Sequence, residues 1–195
     1  MKKSMPWIRC AGFLVGLAVI LGICDFFFAP SGFVRFILHE GNRKDTQYDT
    51  IILGASHARS AINPEYLDEE LGTNTLNLAI PGETVKDAYY LLKDACESND
   101  VKTVIMDVDY QYWMDEQPQG YFTEPFICQN ITNLKVKTEY LLDNWDTIDL
   151  RNVLVRRLSW DCTWSSVKQN VSTKMTEAYR EYSIEAAGVD GKVEG

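Results

Sequence analysis

Ser56 is the residue best placed for chemistry in this chain. It follows the run Asp49-Thr50-Ile51-Ile52-Leu53-Gly54-Ala55, whose consecutive apolar residues suit a strand covered on both faces, as in a parallel sheet between helices. Gly54 lets the backbone turn without steric penalty, and Ser56 then falls at the carboxyl end of the strand, where open α/β sheets hold their ligands. Two readings of that hydroxyl stand side by side: a nucleophile for acyl chemistry, or a cap for the helix that follows. Arg59 offers guanidinium donors to an anionic or hydroxyl-rich substrate, or else pairs with an acid such as Glu65 or Glu83. Asp107 and Asp109 occupy alternate positions of a later strand end and share a face, but two carboxylates alone fall short of a metal site. No cofactor or metal motif is read elsewhere.

The elements that must position these residues follow from apolar spacing. A strand from Asp49 leads to a helix over 65–71 behind Pro64, then to a short strand over 75–79. A loop holding Pro81 and Gly82 enters a longer helix over 85–96, where Val85, Ala88, Tyr89, Leu92 and Ala95 recur at helical intervals, and a third strand spans 103–108. Strand, helix, strand, helix, strand at these distances predicts right-handed βαβ units and a parallel sheet. The second half is less legible. Tyr110, Tyr112, Trp113, Tyr121, Phe122 and Phe126 make an aromatic-rich loop, suited to packing or to gripping a sugar ring. Helical patterns over 135–144, 148–158 and 165–182 follow, the second bearing Arg151, Arg156 and Arg157 on a polar side that is solvated or meets an anionic surface.

Composition narrows the class. A chain of 195 residues with 46% hydrophobic and 24% charged residues fits one globular domain plus an appendage. A net charge of -9 without a basic patch argues against nucleic acid as a partner. The five cysteines are scattered singly, in neither a zinc pattern nor a disulfide framework. Asn130-Ile131-Thr132 and Asn170-Val171-Ser172 match glycosylation sequons, relevant only in a eukaryotic secretory pathway.

The appendage is a membrane element. Lys2, Lys3 and Arg9 precede an apolar run over 10–29 with one charge, Asp25, near its far end, about the ~20 residues needed to cross a hydrocarbon core. Basic residues ahead of the span favour a cytoplasmic N-terminus and place everything after Pro30 outside. A cleaved signal peptide is the alternative, but no small-x-small site follows the apolar core, and Ile23 spoils the lipoprotein-like box at Leu21-Gly22-Ile23-Cys24.

The stretch 49–113, a third of the chain, resembles the SGNH or GDSL-like hydrolase superfamily, especially its membrane-anchored extracytoplasmic branch related to D-alanyl transfer proteins and alginate-type O-acetyltransferases. Gly54-Ala55-Ser56-His57 stands where that family has its Gly-Asp-Ser block, with Ala55 departing from the usual aspartate. Asn77-Leu78-Ala79-Ile80-Pro81-Gly82 is similar to the second block, whose glycine N–H helps bind the oxyanion. The resemblance implies Ser56 as nucleophile, Gly82 and the Ser56 backbone N–H as oxyanion donors, and Asn77 and Arg59 beside the substrate. The third block, Gly-x-Asn-Asp, has no asparagine in Met106-Asp107-Val108-Asp109-Tyr110-Gln111, although Asp109 and Gln111 lie in its neighbourhood. The fourth, Asp-x-x-His, has no counterpart. Of the chain's two histidines, His39 adjoins the span and His57 directly follows the serine, so neither fits the base that a serine nucleophile needs.

The expected architecture is therefore a flavodoxin-like, three-layer SGNH α/β fold. It is preceded by one transmembrane helix (anchor 1–30, juxtamembrane linker 31–48, α/β domain 49–185, tail 186–195). That fold uses about five strands in the order 2-1-3-4-5, so missing strands and a missing base point together to polypeptide beyond residue 195. The resemblance implies a serine esterase or O-acyltransferase for acylated envelope polysaccharide or teichoic acid, working beside a membrane acyltransferase and inactive without its histidine. The competing expectation is a non-catalytic, membrane-tethered module that binds glycan or a partner.

Overall fold

The unbroken apolar run of the first strand is buried on both sides. In a computed structural model, which describes residues 6–29, 33–108, 123–146, 160 and 162–175, β1 (Thr50–Leu53) is the centre of a parallel sheet of order β2-β1-β3. The neighbours are β2 (Thr75–Asn77) and β3 (Thr103–Met106), with Ile51 opposite Leu76 on one side and Val104 on the other. Because side chains alternate along a strand, Ile51 and Leu53 enter one core while Ile52 enters another. β1 and β2 are thus covered on both faces, as a continuous apolar strand requires, whereas β3 is largely exposed.

Short helices fill the connections. After β1 come α3 (Ser56–Ala61) and α4 (Pro64–Leu71), then β2, then α5 (Val85–Cys96) leading to β3. α4 begins on an Asn63 side chain that accepts the Glu65 N–H, has Pro64 in its first turn, and stops at Gly72 in the left-handed region. α5 opens with a capping box in which Thr84 and Asp87 satisfy each other's backbone N–H groups. Its buried face, Ala88, Leu91 and Ala95, joins Ile51 and Leu53 in the larger core.

Two helices pack beyond α5: α6 (Thr123–Asn130) and α7 (Leu134–Asp143). The expected helix over 135–144 is α7, whereas most of the aromatic segment before Phe126, and the pattern over 148–158, lie outside the described residues. The segment read as a juxtamembrane linker holds α2 (Phe33–Glu40), which packs on α6 and puts Phe36, Ile37 and Leu38 at 2%, 1% and 1% exposure. Its apolar spacing is too short to announce burial, because the surface that covers it arrives some ninety residues later with Ile127 and Cys128. All five thiols are unpaired.

The apolar N-terminal helix α1 (Pro6–Phe28) is long enough to cross a membrane, and among the described residues nothing packs on its span from Trp7 until its last turns. There α8 (Trp164–Lys174) closes on it. The Lys174 ammonium, only 6% exposed, donates to the carbonyls of Asp25 (3.0 Å), Phe26 (2.7 Å) and Ala29 (2.5 Å) at the carboxyl end of α1, the first of which also accepts the Ala29 N–H. Asn170 donates to the Phe27 carbonyl and the Trp160 indole to the Asp25 carboxylate. Asn170, buried and so engaged, is not presented as a glycosylation acceptor.

Candidate functional site

β1 delivers the chain to the carboxyl edge of the sheet, and Gly54 turns it there. Gly54 has φ +146, a region that side chains disfavour, and a Cβ at this position would stand 2.7 Å from the Ala58 Cβ and 2.9 Å from the Asp107 Cβ. The turn is therefore closed by contact from α3 on one side and from the end of β3 on the other, where the Asp107 N–H bonds the Leu53 carbonyl at 3.0 Å.

Ser56 is the first residue of α3 and is exposed. The capping position belongs to Ala55, which has no side chain to cap with, and among the described residues the Ser56 hydroxyl and N–H have no hydrogen-bond partner. The alternative in which Ser56 serves as the helix cap is thereby removed: its hydroxyl stands in solvent at the end of a fully buried strand.

The loop after β2 is bound to this turn. Leu78 and Ile80 continue the parallel ladder beyond β2, donating to the carbonyls of Ile52 (2.9 Å) and Gly54 (3.1 Å). Ile80-Pro81-Gly82-Glu83 then forms a tight turn closed by the Glu83 N–H on the Ile80 carbonyl at 3.0 Å, with proline second and Gly82 at φ +80 third, the pattern of a type II turn. Gly82 is exposed and its N–H, like that of Ser56, bonds nothing among the described residues.

Glu83 is the residue that sequence reasoning considered only as a partner for Arg59. It is 2% exposed, and its carboxylate accepts the Gly54 N–H at 2.8 Å and the Ile80 N–H at 2.9 Å, stapling the two loops together from beneath. Burial pushes its carboxyl well above the usual carboxylate range, against the pull of the two N–H donors and with a further push from Asp87. A carboxyl with a raised folded-state pKa contributes stability below its unfolded value near 4.5 and loses that contribution as pH rises through the folded value. Urea stability of the wild type is therefore expected to fall as pH is raised above 4.5, and Glu83→Gln to flatten that slope. At acidic pH the same variant sets an amide NH2 against a backbone N–H and costs about 1–3 kcal/mol. An unchanged slope in the variant would assign the pH dependence to another group.

Asn77 ends β2, and Arg59 is on α3. Asn77 is buried, its amide donating to the carbonyls of Ala58 and Ile62 and its oxygen accepting the Ala79 N–H at 3.0 Å. Those bonds occupy both its protons and tie the far end of α3 to β2, so its geometry is that of a brace for the helix carrying Ser56. Arg59 sits three residues after Ser56 on α3, the spacing that makes helical side chains neighbours, and is partly buried, which lowers its pKa from the usual arginine value.

Neither histidine is arranged as a base. His57 is exposed at the position after Ser56, and adjacent helical side chains do not face one another. His39 lies on α2 within the influence of Arg35, Asp94 and Lys137. Asp94 belongs to the last turns of α5, at the amino edge of the sheet, whereas α5 starts beside the Ser56 edge. His39 is therefore at the opposite end of the domain. Asp107 borders Gly54, while Asp109 and Gln111 lie outside the described residues; among the described residues no group of three or more His, Cys, Asp or Glu could hold a metal.

Fold and site together define a small parallel α/β domain that displays one serine hydroxyl at the carboxyl edge of its central strand, behind a helix long and apolar enough to cross a membrane. Comparison with protein-family models, with curated proteins and with solved structures finds no match.

Proposed function

We propose that this chain is the serine-bearing part of a membrane-anchored SGNH-like esterase or O-acyltransferase acting on acylated cell-envelope glycans. The observation that carries the proposal is the unbonded, exposed Ser56 hydroxyl on a turn that Glu83 ties to the loop of Gly82, with the N–H groups of Ser56 and Gly82 also unbonded among the described residues. In this reading Ser56 Oγ attacks an ester carbonyl, a base removes its proton, and the carbonyl oxygen becomes an oxyanion facing the two N–H donors. The alcohol leaves with that proton, and water or a sugar hydroxyl then takes the acyl group from Ser56. Arg59 orients the glycan or its anionic substituent, and Asn77 acts as a positioning residue through α3.

The base that this reading requires is a group other than His39 and His57. The exposed side chains of Val104 and Met106 in β3, with Val108 just after it, leave an apolar sheet edge. Retention of α1 as an anchor is supported by its last turn, whose carbonyls are built into the fold by Lys174 and Asn170, an arrangement without purpose in a signal destined for removal. The basic residues before the span favour an extracytoplasmic domain on a single-pass anchor.

A second reading, a non-catalytic membrane-tethered module that binds glycan or a partner, is favoured by the placement of the histidines, His39 at the opposite end of the domain and His57 on the residue next to Ser56. Turnover of p-nitrophenyl acetate separates the two. The chain alone is expected to hydrolyse it no faster than Ser56→Ala. With imidazole supplied as a diffusible base, the wild type is expected to exceed Ser56→Ala by about tenfold or more. A module would give no Ser56-dependent gain with imidazole and saturable glycan binding that Ser56→Ala leaves intact.

A further inference from the structure

α8 carries a surface that the ester chemistry does not use. The residues facing α1, Val167, Asn170 and Lys174, are buried or half-buried, and the partly covered positions Leu21, Cys24, Asp25 and Phe28 mark the matching face of α1. Beside that contact runs a second stripe, Trp164, Lys168, Val171 and Met175, at successive spacings of four, three and four residues, which place side chains in line along a helix. Trp164 is 72% and Met175 62% exposed, and the Lys168 ammonium lies 5.4 Å from the Trp164 ring. Ser165, Gln169 and Ser172 form an exposed polar arc. In a chain with 28 acidic against 19 basic residues, α8 contains no acid.

We propose that α8 is an interfacial helix whose Trp164–Lys168–Val171–Met175 stripe rests on a phospholipid bilayer at the end of the α1 span. Its level is fixed by Lys174, Asn170 and Trp160, all bonded to the last turn of α1, where a membrane-crossing helix meets the headgroups. Tryptophan and lysine are the side chains that such a boundary favours, the indole at the acyl margin and the ammonium among phosphates. The serines and glutamine keep the helix at the surface rather than within the bilayer. The consequence is a domain held at a set height and tilt above the lipid, instead of swinging on a tether.

The test uses the full chain, labelled with 5-fluorotryptophan and inserted in nanodiscs of phosphatidylcholine and phosphatidylglycerol. Trp→Phe variants at positions 7 and 164 assign the resonances. A nitroxide on the lipid chains near the headgroup is expected to broaden the Trp164 fluorine signal several-fold, comparably to Trp7 at the other end of the span. Broadening of Trp164 by a water-soluble gadolinium chelate alone would overturn the proposal. So would protection from both agents, which would mean that a second copy of the chain covers the stripe. A Trp7 signal untouched by the lipid nitroxide would remove the premise that α1 spans the bilayer, and the proposal with it; none of these outcomes bears on the reactivity of Ser56.

Discussion

Gly54→Ala is expected to leave little folded protein. Two separate costs meet at this position. An alanine held at φ +146 is strained by about 1–3 kcal/mol. Its methyl would also lie 2.7 Å and 2.9 Å from the Cβ atoms of Ala58 and Asp107, so α3 or the end of β3 must move, at about 1–3 kcal/mol more. Together these come to about 2–6 kcal/mol, enough to reach the lower end of the stability of an ordinary domain, about 5–15 kcal/mol. Gly72 supplies the comparison: it also has positive φ, at +68, but nothing stands within 4 Å of its missing Cβ. Gly72→Ala is therefore expected to cost only about 1–2 kcal/mol, from backbone strain alone. Urea midpoints of the two variants in detergent check the difference, and a Gly54→Ala midpoint equal to that of Gly72→Ala would mean that the crowding around the turn is relieved without cost.

Asp94→Ala is the second large effect, and it falls at the other end of the domain. Asp94 is fully buried, and its carboxylate accepts the Thr132 N–H at 3.1 Å, the Asn133 N–H at 2.9 Å, the Asn42 amide at 3.0 Å and the Thr132 hydroxyl at 3.3 Å. It joins the end of α2 and the start of α7 to α5. Without it two backbone donors and an amide lose their acceptor in a buried place, each loss costing about 1–3 kcal/mol. We expect about 4 kcal/mol in all, or a Tm roughly 10 °C lower for a chain of this size. Asp94→Asn, which keeps one oxygen, should recover part of it. Because Asp94 is remote from Ser56, imidazole-assisted ester turnover below the transition should survive in both variants. Loss of that turnover while the fold persists would tie Asp94 to the site.

What the sequence made legible had local causes. β1 and β3 were visible as apolar runs, and α5 as an apolar face behind Thr84 and Asp87, because periodicity and capping act over a few residues. Ser56 was visible for the same reason, as the first polar hydroxyl after a strand and a glycine. α3, only six residues long, offers too little pattern to register. Glu83 escaped because its partners are backbone N–H groups, which carry no mark in a sequence, and a glutamate after Pro-Gly reads as solvated. Lys174 escaped because the carbonyls it reaches belong to residues 145 to 149 positions earlier. Both are charges buried by contacts that only the assembled fold creates.

Ser56 is expected to be the preferred acyl acceptor of this surface once a base is supplied. Incubation of the full chain with p-nitrophenyl acetate and imidazole, followed by rapid acid quench and peptide mapping by mass spectrometry, reads that directly. A single dominant acetyl adduct on Ser56, absent from Ser56→Ala and dependent on imidazole, is the predicted result. Acetyl groups spread alike over Ser60, other exposed serines and the lysines, with Ser56 no more modified than they are, would contradict it.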